Sequence, residues 1–461
     1  MKRDICWNKY DAKEEKKVYD FADDYKTFIT ECKTEREACR FAVNVAKENG
    51  FKDIDEYIKS GKKLKAGDKV YAVNRGKALV LFVVGSEPVE NGMNILGAHI
   101  DSPRIDLKQN PIYEDEGLAL LETHYYGGIK KYQWVATPLA LHGVVALKSG
   151  EVKDIVVGED PADPVVGISD LLIHLAAEQM EKKAAKVVEG EDLNILVGSR
   201  PVSGNKEEKE LVKANILAIL KDKYGIEEED FVSAEIEAVP AGAARDYGLD
   251  RSMIIGYGHD DRVCAYPSLR AICDVKKPKR TLACILVDKE EIGSVGATGM
   301  QSRFFENMVA ELMDRTGEFS ELSLRRAMTN SYMLSSDVSS AFDPNYAAAS
   351  EKKNVAYFGK GLVFLKYTGS RGKSGSNDAN AEYIAKLRKI MDDNKISFQT
   401  GELGKVDLGG GGTIAYILAN YGMEVIDLGV PVQNMHAPYE VISKADLYET
   451  YKGYMAFLKE A

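Results

Sequence analysis

The chain has 461 residues, with 72 Asp and Glu against 61 Lys and Arg, and a formal net charge of −11. That length accommodates two or three domains, and an acidic balance with neither a basic stripe nor basic–aromatic interleaving excludes the electrostatic footprint of a nucleic-acid binder. The longest apolar run, Ala78 to Val84, is far below the ~20 residues a membrane helix needs, and the amino terminus has no apolar h-region, so a cytoplasmic protein that meets no membrane is expected.

In chain order, Val18, Phe21, Tyr25, Phe28 and Ile29 recur at helical spacing and predict a first helix. Thr34 followed three residues later by Glu37 predicts a capping box and a second helix ending near Gly50. KALVLFVVGS and GMNILGAHID read as strands. From about Ile105 the character changes: Thr123 to Lys148 is rich in Tyr, Trp, Thr and Val with glycine punctuation, which predicts β structure. Ser169 to Lys183 is expected to be helical, and Lys206 to Asp230 an amphipathic helix with an acidic loop. Strand–helix alternation resumes near Phe231 and predicts an α/β catalytic domain (1–106 and 246–461), its mainly parallel sheet flanked by helices and interrupted by an inserted β-rich domain (107–245). The six cysteines, Cys6, Cys32, Cys39, Cys264, Cys273 and Cys284, are scattered and predict buried thiols rather than a disulfide framework.

The chemistry gathers after the apolar strands. Thr281 to Val287 reads as a short buried parallel strand, and ligands in open α/β sheets collect beyond the carboxyl ends of such strands. Directly after it stand Asp288, Lys289, Glu290, Glu291 and a glycine-rich turn. One of two adjacent acids can coordinate a cation while the other moves a proton. His99 and Asp101 are two apart, so in extended backbone they share a face. That spacing suits a metal ligand and the carboxylate that orients its ring. Three further segments, His259-Asp260-Asp261-Arg262, Ser335-Ser336-Asp337, and Asp427 running on to His436, carry the same donor types. Two histidines with three or four carboxylates is the donor set for two cations about 3.5 to 4 Å apart. Nitrogen with oxygen favours zinc, with cobalt or manganese also suited.

GAHIDSPR, HDDR, DKEEIGS, SSDVSSAFDPNY and NMHAPYE, with ETHYYGGIKKYQW between the first two, resemble in content and order the aspartyl aminopeptidase and vacuolar aminopeptidase I family of dinuclear zinc metallopeptidases. The resemblance spans nearly the whole chain. It implies hydrolysis of the amino-terminal peptide bond, with one zinc on His99 and Asp337, a second on Glu291 and His436, and Asp260 bridging them. Glu290 would be the general base and acid, and Asp101 the orienter of His99. The family likeness also implies that the inserted domain pairs subunits in a homo-oligomer, commonly a dodecamer. His174 would then reach a neighbouring subunit's site and touch substrate, a role preferred over metal ligation.

Gly409 to Gly412 with Thr413 lacks the Lys-Ser/Thr step of a phosphate loop, so no nucleotide is expected there. Gly369 to Asn377 reads as a loop whose Arg371 and Lys373 are candidate substrate-binding cations. Acid-preferring members of the family carry histidines in the segment where this chain has Ser340 and Asp343. A neutral or broad amino-terminal preference is therefore at least as well supported as an acidic one. Two alternatives remain beside the aminopeptidase: a deacylase or carboxypeptidase on the same metal site, and a non-catalytic assembly protein with a relic site. The first would leave free amino termini uncut. Retention of Glu290 beside every expected ligand argues against the second.

Overall fold

Val18, Tyr25, Phe28 and Ile29 form the buried stripe of the first helix, Ala12–Glu31, whose amino end is capped by Asp11 accepting from the N–H groups of Lys13 and Glu14. The second, Glu35–Glu48, starts at the expected capping box: Thr34 takes the N–H of Glu37 and Glu37 takes that of Thr34. The computed structural model describes residues 4–203, 209–370 and 372–461. By contact density the chain divides into two units, Met1–Asp101 with Ala244–Met435 and Glu440–Ala461, and Ser102–Ala243 with His436–Tyr439.

The first unit is built on a nine-stranded sheet, in the order Lys52–Asp53, Lys69–Asn74, Ala78–Val83, Thr281–Val287, Met93–His99, Tyr332–Ser335, Glu424–Gly429, Leu362–Leu365 and Phe398–Thr400. The four strands from Thr281–Val287 to Glu424–Gly429 in that order run parallel. The sheet is mixed: Ala78–Val83 pairs antiparallel to Thr281–Val287, and Leu362–Leu365 antiparallel to Glu424–Gly429. Every residue of Ala78–Val83, Met93–His99 and Thr281–Val287 is buried, as expected for strands covered on both faces. Their side chains alternate between two cores. Leu79, Leu81, Val83, Leu96 and Ala98 face the one that holds Tyr25 and Phe28. Val80, Phe82 and Ile95 face the one that holds Phe305, Val309 and Leu312 of the helix Phe304–Thr316. A smaller five-stranded sheet, Arg245–Tyr247, Met253–Gly256, Glu440–Ser443, Pro431–Gln433 and Ser339–Ser340, belongs to the same unit.

The second unit is β-rich. Its six-stranded antiparallel sheet runs Val152–Val157, Leu139–Ala146, Ala234–Pro240, Arg104–Asp115, Leu118–Tyr126 and Ile195–Gly198, with Val145, Ile155, Phe231 and Ile236 in its core. Within the stretch expected to be an amphipathic helix from Lys206, the helix is Leu211–Tyr224, and 206–208 lie outside the described residues. The helix expected over 169–183 is not formed; only the turns Ile173–Leu175 and Ala177–Met180 are helical. The physical reason is on the side chains. Leu171, Leu172, Ile173, Leu175 and Met180 are 45 to 68% exposed, so no apolar face is buried within the chain, and packing of such a face is what stabilises short helices.

All six cysteines are free and buried. Burial also governs Asp427, in the strand Glu424–Gly429, whose carboxyl is pushed up to about 7 against bonds from Thr413 and Ser335 that pull it down. Its unfolded value is near 3.8. The folded chain therefore favours the protonated form, and the associated stability is complete below about pH 4 and lost as pH rises through 7. Asp427→Asn keeps the oxygen that accepts from Ser335 Oγ and removes the titration. Between pH 5 and 8 the variant is expected to gain about 2–3 kcal/mol on the parent. Denaturant midpoints across that range check it, and parallel pH profiles for the two proteins would contradict it.

Candidate metal centre

Three adjacent parallel strands set the floor of the site. Val287 is the register partner of His99, and Ser335 that of Gly97, so Thr281–Val287, Met93–His99 and Tyr332–Ser335 end almost level. The residues that follow these ends are Asp288 to Glu291, His99 to Asp101, and Asp337. The helix His259–Asp274 supplies Asp260 from its first turn, where Asp260 and Asp261 leave helical geometry and are joined by a cis peptide bond. Glu290 and Glu291 sit on a single 3-10 turn between Lys289 and Gly293, both left-handed. Adjacent side chains on a 3-10 turn point in different directions.

His99 is 1% exposed. Its Nε2 lies 3.2 Å from Asp260 Oδ1 and 3.8 Å from Glu290 Oε2. On its other side, Nδ1 is 3.0 Å from the backbone carbonyl of Asp101 and 3.3 Å from its Oδ1. The donor atoms of His99, Asp260 and Asp337 lie within 4.8 Å of one another, and so do those of His99, Glu290 and Glu291. Asp101 does more than face His99. Its two carboxylate oxygens accept the backbone N–H groups of Glu290 and Glu291 at 3.2 and 3.3 Å.

Charge is concentrated here at depth. Burial pushes the Asp337 carboxyl well above its ordinary range, and the neighbouring Asp261 and Glu290 push it further. Asp261, fully buried, is raised by the same loss of solvent and by Asp260. Burial works against a charged His99 ring, yet Asp101, Asp260 and Glu290 hold its pKa well above 6.5. Like-charged carboxylates crowded out of water require a cation or protons. An imidazole with several carboxylates, and no thiolate among them, is a donor set that fits zinc.

The remaining sequence candidates are His436, His174, Lys373 and Arg371. His436 lies between the strands Pro431–Gln433 and Glu440–Ser443, in a left-handed conformation, with Nδ1 2.8 Å from the Gly128 carbonyl. A ring held at Nδ1 by a carbonyl presents Nε2 as its coordinating atom. His174 is exposed on the turn Ile173–Leu175 and joins none of the donor groups found among the described residues. Lys373 pairs with Asp378 at 2.9 Å and lies 3.9 Å from the Tyr367 ring centre. Arg371 lies outside the described residues. Sequence reasoning overlooked Glu440, 1% exposed, whose Oε2 accepts the N–H of Asp260 at 3.0 Å. Its only signal was an acid four residues after His436.

Comparison with known proteins places the chain among zinc metalloproteases. The family model described as aminopeptidase I zinc metalloprotease (M18) matches residues 28–458. A probable M18 family aminopeptidase 1 of Clostridium acetobutylicum is 63% identical, covering 98% of this chain and 97% of the relative. The crystal structure of an M18 aminopeptidase from Thermotoga maritima superposes with a TM-score of 0.95 at 42% identity, covering 100% of both chains. That of aminopeptidase I from Clostridium acetobutylicum gives 0.93 at 61% identity over 99% of each. The S. cerevisiae mApe1 dodecamer, at 21% identity and a TM-score of 0.76 over 96% of this chain and 97% of that one, shares the fold. The α/β chain with its buried histidine–carboxylate cluster therefore belongs to the aminopeptidase I zinc metalloprotease family, M18, and is a metallo-aminopeptidase.

Proposed function

We propose that this aminopeptidase removes amino-terminal residues from peptides using two zinc ions per subunit, one on His99 and Asp337, the other on Glu291 and His436, with Asp260 between them. The observation that carries the reading is the convergence of buried His99, Asp260 and Asp337 donor atoms within 4.8 Å, beside a second such group of His99, Glu290 and Glu291. Bound zinc would supply the Lewis acid for the scissile carbonyl and lower the pKa of water toward 7. Glu290 takes the proton from the attacking water and returns it to the leaving amine. Asp101 keeps His99 in place and, through the N–H groups of Glu290 and Glu291, fixes the turn on which base and ligand sit.

Assembly is assigned to the inserted β-rich unit, read as 107–245. Leu171, Leu172, Ile173 and Leu175, each 45 to 68% exposed around His174, form the kind of apolar surface that pairs with another subunit. His174 would reach substrate across that interface in a homo-oligomer, a dodecamer like that of S. cerevisiae mApe1. No helix among the described residues is long and apolar enough to cross a membrane.

The test is a panel of aminoacyl anilides with Asp, Glu, Leu, Met, Ala or Lys, each with a free and an acetylated amino group, before and after chelation and zinc return. Zinc-dependent release from free amino termini alone is expected. Release of acetate from the acetylated set, with its anilide bond intact, would turn the reading to a deacylase on the same site.

A further inference from the structure

We infer that Glu440 is a positioning residue for Asp260, fixing the peptide plane from which that acid reaches the cluster. The inference rests on the metal reading above and extends it to a residue that does not itself coordinate. At a helix start the first four N–H groups have no partner within the helix. Gly258, the residue before His259–Asp274, has no side chain to cap them. Asp260 adds to this by leaving helical geometry, with φ −79 and ψ 108, and it is 3% exposed, so water is a poor acceptor for its N–H.

Strand pairing supplies the acceptor. Glu440 opens Glu440–Ser443, and the antiparallel register with Met253–Gly256 sets it opposite Gly256, four residues before Asp260. Gly256 has no side chain on that pair, and Glu440 Oε2 meets the Asp260 N–H at 3.0 Å. The same device recurs across the cluster, where Asp101 accepts from Glu290 and Glu291. Both acid-bearing turns are thus held by a buried carboxylate that grips backbone, which leaves their own carboxylates free to join the donor cluster.

The experiment compares the parent with Glu440→Gln and Glu440→Ala, both purified as full-length protein. Zinc affinity is read by competition with a chromophoric chelator, folding by the melting of metal-free protein, and turnover by kcat and KM. Removing an outer partner of a metal ligand typically costs 10–100-fold in affinity. Glu440→Ala is expected to bind zinc at least ~10-fold more weakly and to lose kcat with KM within about twofold. Glu440→Gln, which keeps an accepting oxygen, is expected to recover most of both. If the Ala variant does not fold, Glu440→Asp decides, because its shorter side chain withdraws the carboxylate from the Asp260 N–H: exchange at that amide accelerated ~10-fold or more supports the inference, and protection at the parent level overturns it. Parent-like zinc affinity in Glu440→Ala, or Gln as impaired as Ala, would also overturn it. Failure of the parent to bind zinc would instead remove the metal reading.

Discussion

Glu290→Gln is expected to lower kcat by at least about 100-fold while the zinc content stays that of the parent. The substitution preserves shape and one oxygen but cannot take a proton, and positioned general acid–base groups are typically worth 10²–10⁴ in rate. Glu290 is placed for this work. It stands on the turn after Val287, its Oε2 is 3.8 Å from His99 Nε2, and its N–H is held by Asp101. Its side chain keeps 14% exposure against 2% for His99, so it is the more accessible of the two to water. Metal analysis and steady-state kinetics on the same preparation separate the possibilities. A variant that loses zinc together with activity would make Glu290 a ligand; undiminished turnover would remove it from the chemistry.

Asp260→Ala should have the larger effect on metal. Asp260 shares a donor group with the buried His99 and Asp337, and its Oδ1 is 3.2 Å from His99 Nε2. Without it the remaining acids lose the donor they share. We expect at most one tightly held zinc per chain and a fall in kcat/KM of about 10³-fold or more, since Lewis-acid stabilisation is worth several kcal/mol and each 1.36 kcal/mol is tenfold in rate. The fold should persist, because Asp260 sits among like charges and the helix His259–Asp274 is anchored by Val263, Tyr266 and Leu269 in the core. Two zinc ions retained at parent affinity would contradict the assignment.

How far the sequence spoke follows from what each feature depends on. His99–Asp101 and Asp288–Glu291 were legible because local patterns carried them: an apolar strand, then polar donors at its carboxyl end. The Thr34–Glu37 box was legible for the same reason. The antiparallel outer strands were not, since Ala78–Val83 is apolar whichever way its neighbour runs, and direction is set by connections rather than composition. The run 169–183 misled because its spacing of Leu, Ile and Ala matches a helix, whereas a helix also needs a surface to bury against, and Leu172 and Ile173 have none in the chain. Glu440 was invisible for a third reason. It acts on a backbone N–H, so no side-chain pairing marks it, and only the Gly256 register brings it to Asp260.

The central claim is a zinc pair that makes an aminopeptidase of this cluster, and stepwise zinc return tests it most directly. Chelated protein is titrated with zinc while bound metal and release from a free aminoacyl anilide are followed together. The account predicts saturation at two ions per chain, with full activity reached only as the second is bound. Saturation at one ion with full activity, or hydrolysis that persists in the chelated protein, would contradict it.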